Sequence, residues 1–243
     1  LSQYARAGKK DDLASLRLAV CGAERVRDET RLLVRKKFQI EILEGYGATE
    51  ASPIVSANLA ENNRPGTVGK FMPDMEYRLE PVQGIAEGGR LFIRGPNVMK
   101  GYLRTNNPGV LEPLEGGWHD TGDIVVIDDE EIIRIKGRVK RFAKIGGEMV
   151  SLMVVENCAA AVWPDAMHAA AIVPDPKRGE QIVLMTEETD AKRRDLLTWA
   201  QTHGVPEISV PKKIITVDKL PVLGTGKLDY VSITHMAKEA LAK

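Results

Sequence analysis

Apolar positions follow two different periods along the 243 residues, and the chain divides where the period changes. Leu16-Arg17-Leu18-Ala19-Val20-Cys21 reads as a strand, Gly22-Ala23-Glu24 as a turn, and Asp28–Phe38 as an amphipathic helix. Ile40-Glu41-Ile42-Leu43 reads as the next strand, running into a second glycine-rich turn at Gly45-Tyr46-Gly47. The polar stretch before Leu16 predicts no element. Ligands of open α/β sheets gather beyond the carboxyl ends of strands, where glycine turns expose backbone N–H groups. The two turns are therefore expected to face one crevice.

From Gly66 to Gly137 the helical period gives way to short β-like runs separated by Gly, Pro and Asn. These are Glu76–Leu79, Arg90–Ile93 and Ile124–Ile127, the last pairing with Ile132–Ile135 across an acidic turn. After Arg138 the pattern changes again. A basic stretch and a glycine pair precede a helix expected to start at Ser151 as N-cap, with Val154, Val155 and Cys158 facing inward. Strands at Ala169–Val173 and Ile182–Thr186, a helix over Ala191–His203, a strand at Lys213–Val217 and a helix from Tyr230 complete the reading. The expected fold class is α/β: the end of a large α/β domain with a small β subdomain, then a separate compact α+β carboxy-terminal domain. The boundary is placed at Val139/Lys140, giving residues 1–139 and 140–243.

Composition narrows the function classes. Lys and Arg number 34 and Asp and Glu 34, so the chain lacks the basic excess of a generic nucleic-acid or anionic-membrane binder. With 43% hydrophobic and 28% charged residues it has the make-up of a soluble globular protein with real cores. No apolar run approaches the roughly 18–20 residues that cross a bilayer, and no signal-peptide core is present, so the segment is expected to be soluble and cytosolic. Cys21 and Cys158 stand far apart without metal-ligand neighbours and read as buried small hydrophobes. A first residue of Leu in place of Met, entering a polar stretch, is expected of a piece of something longer.

Five short segments carry chemistry. Gly45-Tyr46-Gly47-Ala48-Thr49-Glu50 offers an aromatic face, a hydroxyl and a carboxylate, which suits a base, a phosphate and Mg²⁺ in turn. A tight turn with a core tyrosine fits as well. In Trp118-His119-Asp120-Thr121-Gly122-Asp123, a carboxylate such as Asp123 can accept hydrogen bonds from ribose hydroxyls, or serve as a strand-entry cap, and His119 reads as a packing residue. Arg138 can reach ribose or phosphate, or form a surface salt bridge. Lys140, Arg141 and Lys144 beside Gly146-Gly147 make either a solvated basic face or a hinge. Gly224-Thr225-Gly226-Lys227 sets one ammonium after a flexible loop, where it can offset charge on a phosphate or acyl oxygen. Its spacing is not that of a P-loop.

The order of these segments is more specific than any one of them. Tyr-Gly-x-Thr-Glu, Gly-Tyr at 101–102, Trp-x-x-Thr-Gly-Asp, Gly-Arg with a hinge, and Leu-Pro-x-x-x-x-Gly-Lys together resemble the carboxy-terminal half of the adenylate-forming superfamily: acyl-CoA synthetases, peptide-synthetase adenylation domains and luciferases. The resemblance covers essentially the whole chain. Lys140–Ser151 and Leu220–Asp229 further resemble the synthetase portion of the bacterial bifunctional acyl-[acyl-carrier-protein] synthetase/2-acylglycerophosphoethanolamine acyltransferase.

The resemblance implies Tyr46 at the adenine, Thr49 at a phosphate, Glu50 at Mg²⁺ and Asp123 at the ribose. It implies Gly22, Ala23 and Glu24 at the adenine pocket, Arg138 beside the ribose, and Lys227 stabilising adenylate formation. Gly45 and Gly47 complete the nucleotide segment. It implies a hinge at Lys140, where many relatives carry Asp, and a thiol-transfer face at Lys144, Gly146 and Gly147. The implied partners are a fatty acid, ATP/AMP, and acyl carrier protein bearing phosphopantetheine, or coenzyme A. A lysophospholipid would be served by an upstream acyltransferase at the cytoplasmic face of the bacterial inner membrane. The Ser/Thr/Gly-rich loop that grips the ATP β- and γ-phosphates in the superfamily does not occur in this sequence, so little synthetase activity is expected of the 243 residues alone. A module that keeps the fold only to bind a carrier protein is the rival of a different class.

Overall fold

A computed structural model describes residues 1–242. Its contacts separate two compact units, Leu1–Val82 with Glu87–Ile135, and Gln83–Ala86 with the chain from Lys136 onward.

The first unit begins with a helix, α1 (Ser2–Ala7), where the sequence predicts none. The reason is tertiary: Ala5 is buried with Val34 and Phe38, and the Lys37 ammonium donates to the carbonyls of Ala5 and Arg6 at the helix end. Six residues would not hold a helix unaided. β1 (Ala19–Cys21) is shorter than expected, because Leu16 and Leu18 lie outside it and are exposed. α2 spans Asp28–Phe38, as its period predicts, with Asp28 and Glu29 in the first turn and Arg35, Lys36 and Lys37 in the last, the charge order that favours the helix dipole. β2 (Ile42–Gly47) pairs parallel with β1, bringing Cys21 beside Glu44.

Gly45-Tyr46-Gly47 is therefore strand, not turn. β3 (Ile54–Ala57) pairs antiparallel with it, Gly45 opposite Ala57 and Tyr46 opposite Ser56. A Cβ on Gly47 would fall 2.3 Å from the Pro53 carbonyl oxygen, so glycine here serves close packing of two strands. The chain turns later, through the 3₁₀ turn Thr49–Ala51. β4 (Lys70–Phe71) closes this sheet in the order β1-β2-β3-β4.

The β-rich middle contains β5 (Glu76–Glu80), β6 (Gly89–Arg94), a small hairpin of β7 (Gly101–Leu103) and β8 (Leu111–Pro113), then β9 (His119–Ile127) and β10 (Ile133–Arg138). The larger sheet runs β10-β9-β6-β5 around a core of Leu91, Ile93, Val125 and Ile133. The segment His119–Asp123 lies within β9, not in a strand-entry turn. A shift of register against β6 accommodates it, with Gly122 at φ +69.

The second unit is built on β11 (Phe142–Ile145), β12 (Glu148–Ser151), β13 (His168–Asp175), β14 (Gly179–Thr186) and β15 (Lys213–Thr216), with helices α3 (Leu152–Val162), α4 (Arg193–Thr202) and α5 (Tyr230–Ala242). β13 and β14 are apolar on both faces. Ala170, Ile182 and Leu184 join Val155, Cys158, Leu196 and Ala200 in one core, while Ala169, Ala171, Val183 and Met185 join Ile233 and Ala237 in the other. Helices thus cover both sides of one sheet. Ser151 stands at the N-cap of α3, but its hydroxyl donates to the Lys136 carbonyl and makes no capping bond. Cys158 is buried as expected and its thiol is pushed up to about 11 by that burial, whereas Cys21 is only half-buried. Among the described residues no helix is long and apolar enough to cross a membrane.

Candidate nucleotide site and lysine loop

Because β1 and β2 are parallel neighbours, the chain emerges from them side by side. A Cβ on Gly22 would lie 3.2 Å from the Gly45 carbonyl, so the Gly22-Ala23-Glu24 turn begins beside Gly45 of β2. Ala23 takes a left-handed φ of +69, and Gly22, Ala23 and Glu24 are all exposed.

Beneath this turn lies a charged group that the sequence reading missed. Glu44, 5% exposed, accepts the Val26 N–H at 3.0 Å, the Gly66 N–H at 3.0 Å and an Arg31 guanidinium N–H at 2.5 Å. Arg31 also donates to the Ile42 carbonyl. One carboxylate thus ties three segments to β2. The available signal was a glutamate directly after an apolar run, where a strand core expects none.

Tyr46 and Asp123 stand 77 positions apart in the chain and meet: the phenol donates to Asp123 Oδ2 at 2.5 Å. Asp123, also 5% exposed, is aimed by its neighbours. Thr121 Oγ1 donates to the Leu91 carbonyl and accepts the Asp123 N–H. Asp120 accepts the Gly122 N–H and is forked by Arg90. Burial pushes the Asp120 carboxyl up, but the hydrogen bonds from Arg90 and Gly122 outweigh it and hold the group below the usual carboxylate range. His119 is buried opposite Ile93 in β9, a packing residue.

Thr49 and Glu50 sit in the turn after β2, Thr49 exposed and Glu50 half-buried. A strap over residues 97–102 holds that turn. Asn97 donates to the carbonyls of Ala51 and Ile54, Met99 N–H to the Glu50 carbonyl, and the Tyr102 hydroxyl to Glu50 Oε1 at 3.3 Å. Burial, and then the Glu50 carboxylate, raise the Tyr102 phenol above its ordinary value. Among the described residues no group of three or more acidic, His or Cys side chains forms a metal cage. Mg²⁺ on nucleotides commonly takes one or two carboxylates and fills the rest of its octahedron with phosphate oxygens and water, so the single Glu50 fits such an ion.

The remaining predicted residues belong to the second unit. Arg138 ends β10 and is exposed. Lys140 is exposed in the 3₁₀ turn Val139–Arg141. Lys144 is exposed on β11, its backbone N–H bonded to Glu180, and Gly146-Gly147 form the β11–β12 turn with φ of +60 and +100, a conformation that favours glycine. Lys227 is exposed on a small hairpin closed by the Val222–Leu228 bridge and by the Leu223 N–H bond to the Lys227 carbonyl at 2.7 Å.

Comparison with known proteins identifies the family. The family model described as AMP-binding enzyme matches residues 1–103. A long-chain-fatty-acid–CoA ligase of Haemophilus influenzae is 30% identical over 228 residues, which is 90% of this chain and 40% of that protein. The chain belongs to the adenylate-forming superfamily. Feruloyl-CoA synthase of Amycolatopsis, another member, is 34% identical over 230 residues, covering 89% of this chain and 45% of its own length. The crystal structure of ATP-bound MatB from Rhodopseudomonas palustris superposes with a TM-score of 0.81 at 25% identity, over 98% of this chain and 49% of that one. This superfamily member therefore spans less than half the length of these relatives.

Proposed function

We propose that the chain is the carboxy-terminal half of an AMP-forming ligase that activates a fatty carboxylate and passes the acyl group to a pantetheine thiol. In the first step the carboxylate oxygen attacks the α-phosphorus of ATP, the bond to the β-phosphate breaks, and acyl-adenylate and pyrophosphate form. In the second a thiolate attacks the acyl carbon and AMP leaves. Tyr46 and the Gly22–Glu24 turn border the adenine, Asp123 and Arg138 hold the ribose hydroxyls, and Thr49 meets a phosphate. Glu50 would hold Mg²⁺, which supplies charge neutralisation between two anionic reactants. Lys227 offsets charge developing on the reacting oxygens. Lys140 is the pivot, and Lys144, Gly146 and Gly147 form the edge that admits the thiol arm.

The observation that carries the reading is the Tyr46–Asp123 hydrogen bond, which unites two distant motifs at one place. The names of the relatives favour coenzyme A as acceptor, while the Lys140–Ser151 and Leu220–Asp229 segments favour acyl carrier protein within a bifunctional lysophospholipid-reacylating enzyme. The test is ATP–pyrophosphate exchange by the full-length protein with fatty acids, followed by thioester formation with coenzyme A or holo-carrier protein. Lys227→Ala is expected to lower exchange by about 10²–10³-fold. Unchanged exchange in that variant would take Lys227 out of the reaction, and no exchange at all by the full-length protein would favour a module that only binds a carrier protein. Robust exchange by the 243 residues alone would contradict the assignment as a half.

A further inference from the structure

We infer that Arg141 is a positioning residue that couples the pivot to the loop bearing Lys227, an inference that rests on the roles proposed above for Lys140 and Lys227. Arg141 follows Lys140 directly, but the two differ in surroundings: Lys140 is exposed, while the Arg141 side chain is 20% exposed and engaged on three sides. Its Nη2 donates to Glu156 Oε1 at 2.7 Å and to the Ala170 carbonyl at 3.3 Å. Its guanidinium carbon lies 3.6 Å from the centre of the Tyr230 ring, close enough for a cation–π contact.

Each partner is anchored elsewhere. Glu156 is on α3, whose Val155 and Cys158 are in the larger core, and it also accepts the Ala170 N–H of β13 at 2.8 Å. Tyr230, which also hydrogen-bonds Glu156, is the first residue of α5. Directly before it, Asp229 donates its N–H to the Pro221 carbonyl and accepts those of Val231 and Ser232, tying the base of the Lys227 hairpin to the helix start. The tip of that hairpin is unsupported: a Cβ on Gly224 or Gly226 would meet nothing within 4 Å. The placement of Lys227 therefore comes from the base, which Leu220 and Leu228 seat on the core of Ile233 and Ala237, the Leu220 N–H ties to Glu187, and Tyr230 links to Arg141. A rotation about Lys140 then carries the base of the lysine hairpin with it.

The test compares Arg141→Met and Arg141→Lys, the latter keeping the charge but losing the planar fork. Amide hydrogen exchange on the chain should show protection of Leu223 and Gly226 reduced about tenfold in Arg141→Met and less in Arg141→Lys, with Val183 in the sheet core unchanged. In the full-length protein, ATP–pyrophosphate exchange should fall about tenfold in kcat with KM for ATP nearly constant, while thioester formation from preformed acyl-adenylate stays within about twofold. Unaltered protection at Leu223 and Gly226 in both variants would overturn the coupling. If Lys227→Ala leaves exchange intact while protection still falls, the role of Lys227 is wrong and the mechanical link stands. If Arg141→Met does not fold, the Arg141→Lys exchange pattern decides.

Discussion

The two units each bury an arginine–glutamate pair, and the pairs do different work. Arg31–Glu44 in the first is 8% and 6% exposed, and Glu44 collects N–H groups from Val26 and Gly66 besides the guanidinium. Arg141–Glu156 in the second is 20% and 18% exposed, and takes one backbone N–H and one aromatic ring. The first pair closes irregular chain around the end of a strand, where backbone N–H groups would otherwise be buried without partners. The second lies in a unit that also holds two apolar cores, and links α3, β13 and the start of α5. A buried charge pair is thus structurally decisive where it replaces secondary structure, and mainly directional where secondary structure is complete.

Three substitutions separate these roles. Glu44→Ala strands Arg31 and two N–H groups and is expected to cost about 3–5 kcal/mol, read from the urea midpoint of the first unit. A loss near that of an ordinary surface change would mean that Glu44 is merely tolerated. Tyr46→Phe removes one hydrogen bond to a buried carboxylate and should cost about 1.5–3 kcal/mol while leaving the ring in place. Nucleotide binding would drop with it if the pair orients Asp123. The smallest effect is expected of Glu156→Gln, within about 1.5 kcal/mol at neutral pH, because one acceptor oxygen remains for Arg141 and the Ala170 N–H.

The same variant has a distinct pH signature. Burial raises the Glu156 carboxyl above its ordinary value, against the lowering by Arg141, the Ala170 N–H and Tyr230. The folded state therefore holds that proton more tightly than the unfolded chain. Its contribution is complete below the ordinary carboxylate range and is lost as pH rises through the folded value. Glu156→Gln should flatten that fall. A wild-type profile that rises in this window and is unaltered by the substitution would show the pair to be better solvated than its burial implies.

The helix Asp28–Phe38 and the strands Glu76–Glu80, Gly89–Arg94 and Lys213–Thr216 were legible because period and turn residues agreed over whole elements. Two errors share one cause. Gly45–Gly47 and His119–Asp123 contain residues that ordinarily break strands, yet both pair in sheets, since the neighbouring strand supplies the hydrogen bonds that local preference cannot foresee. The candidate side chains were read from motif order, whereas Glu44, Asn97 and Glu156, which tie neighbouring segments together, were not. They have no motif, only a position beside something else.

What the sequence determined by itself is the alternation of periods and the identity of the groups proposed to meet a nucleotide, because both are properties of residues read in order. That Tyr46 reaches Asp123, that Tyr102 reaches Glu50 and that Arg141 reaches Tyr230 was decided only in the folded chain. Contacts across 77, 52 or 89 positions depend on which strands pair and which faces are buried, and chain order alone does not carry that information.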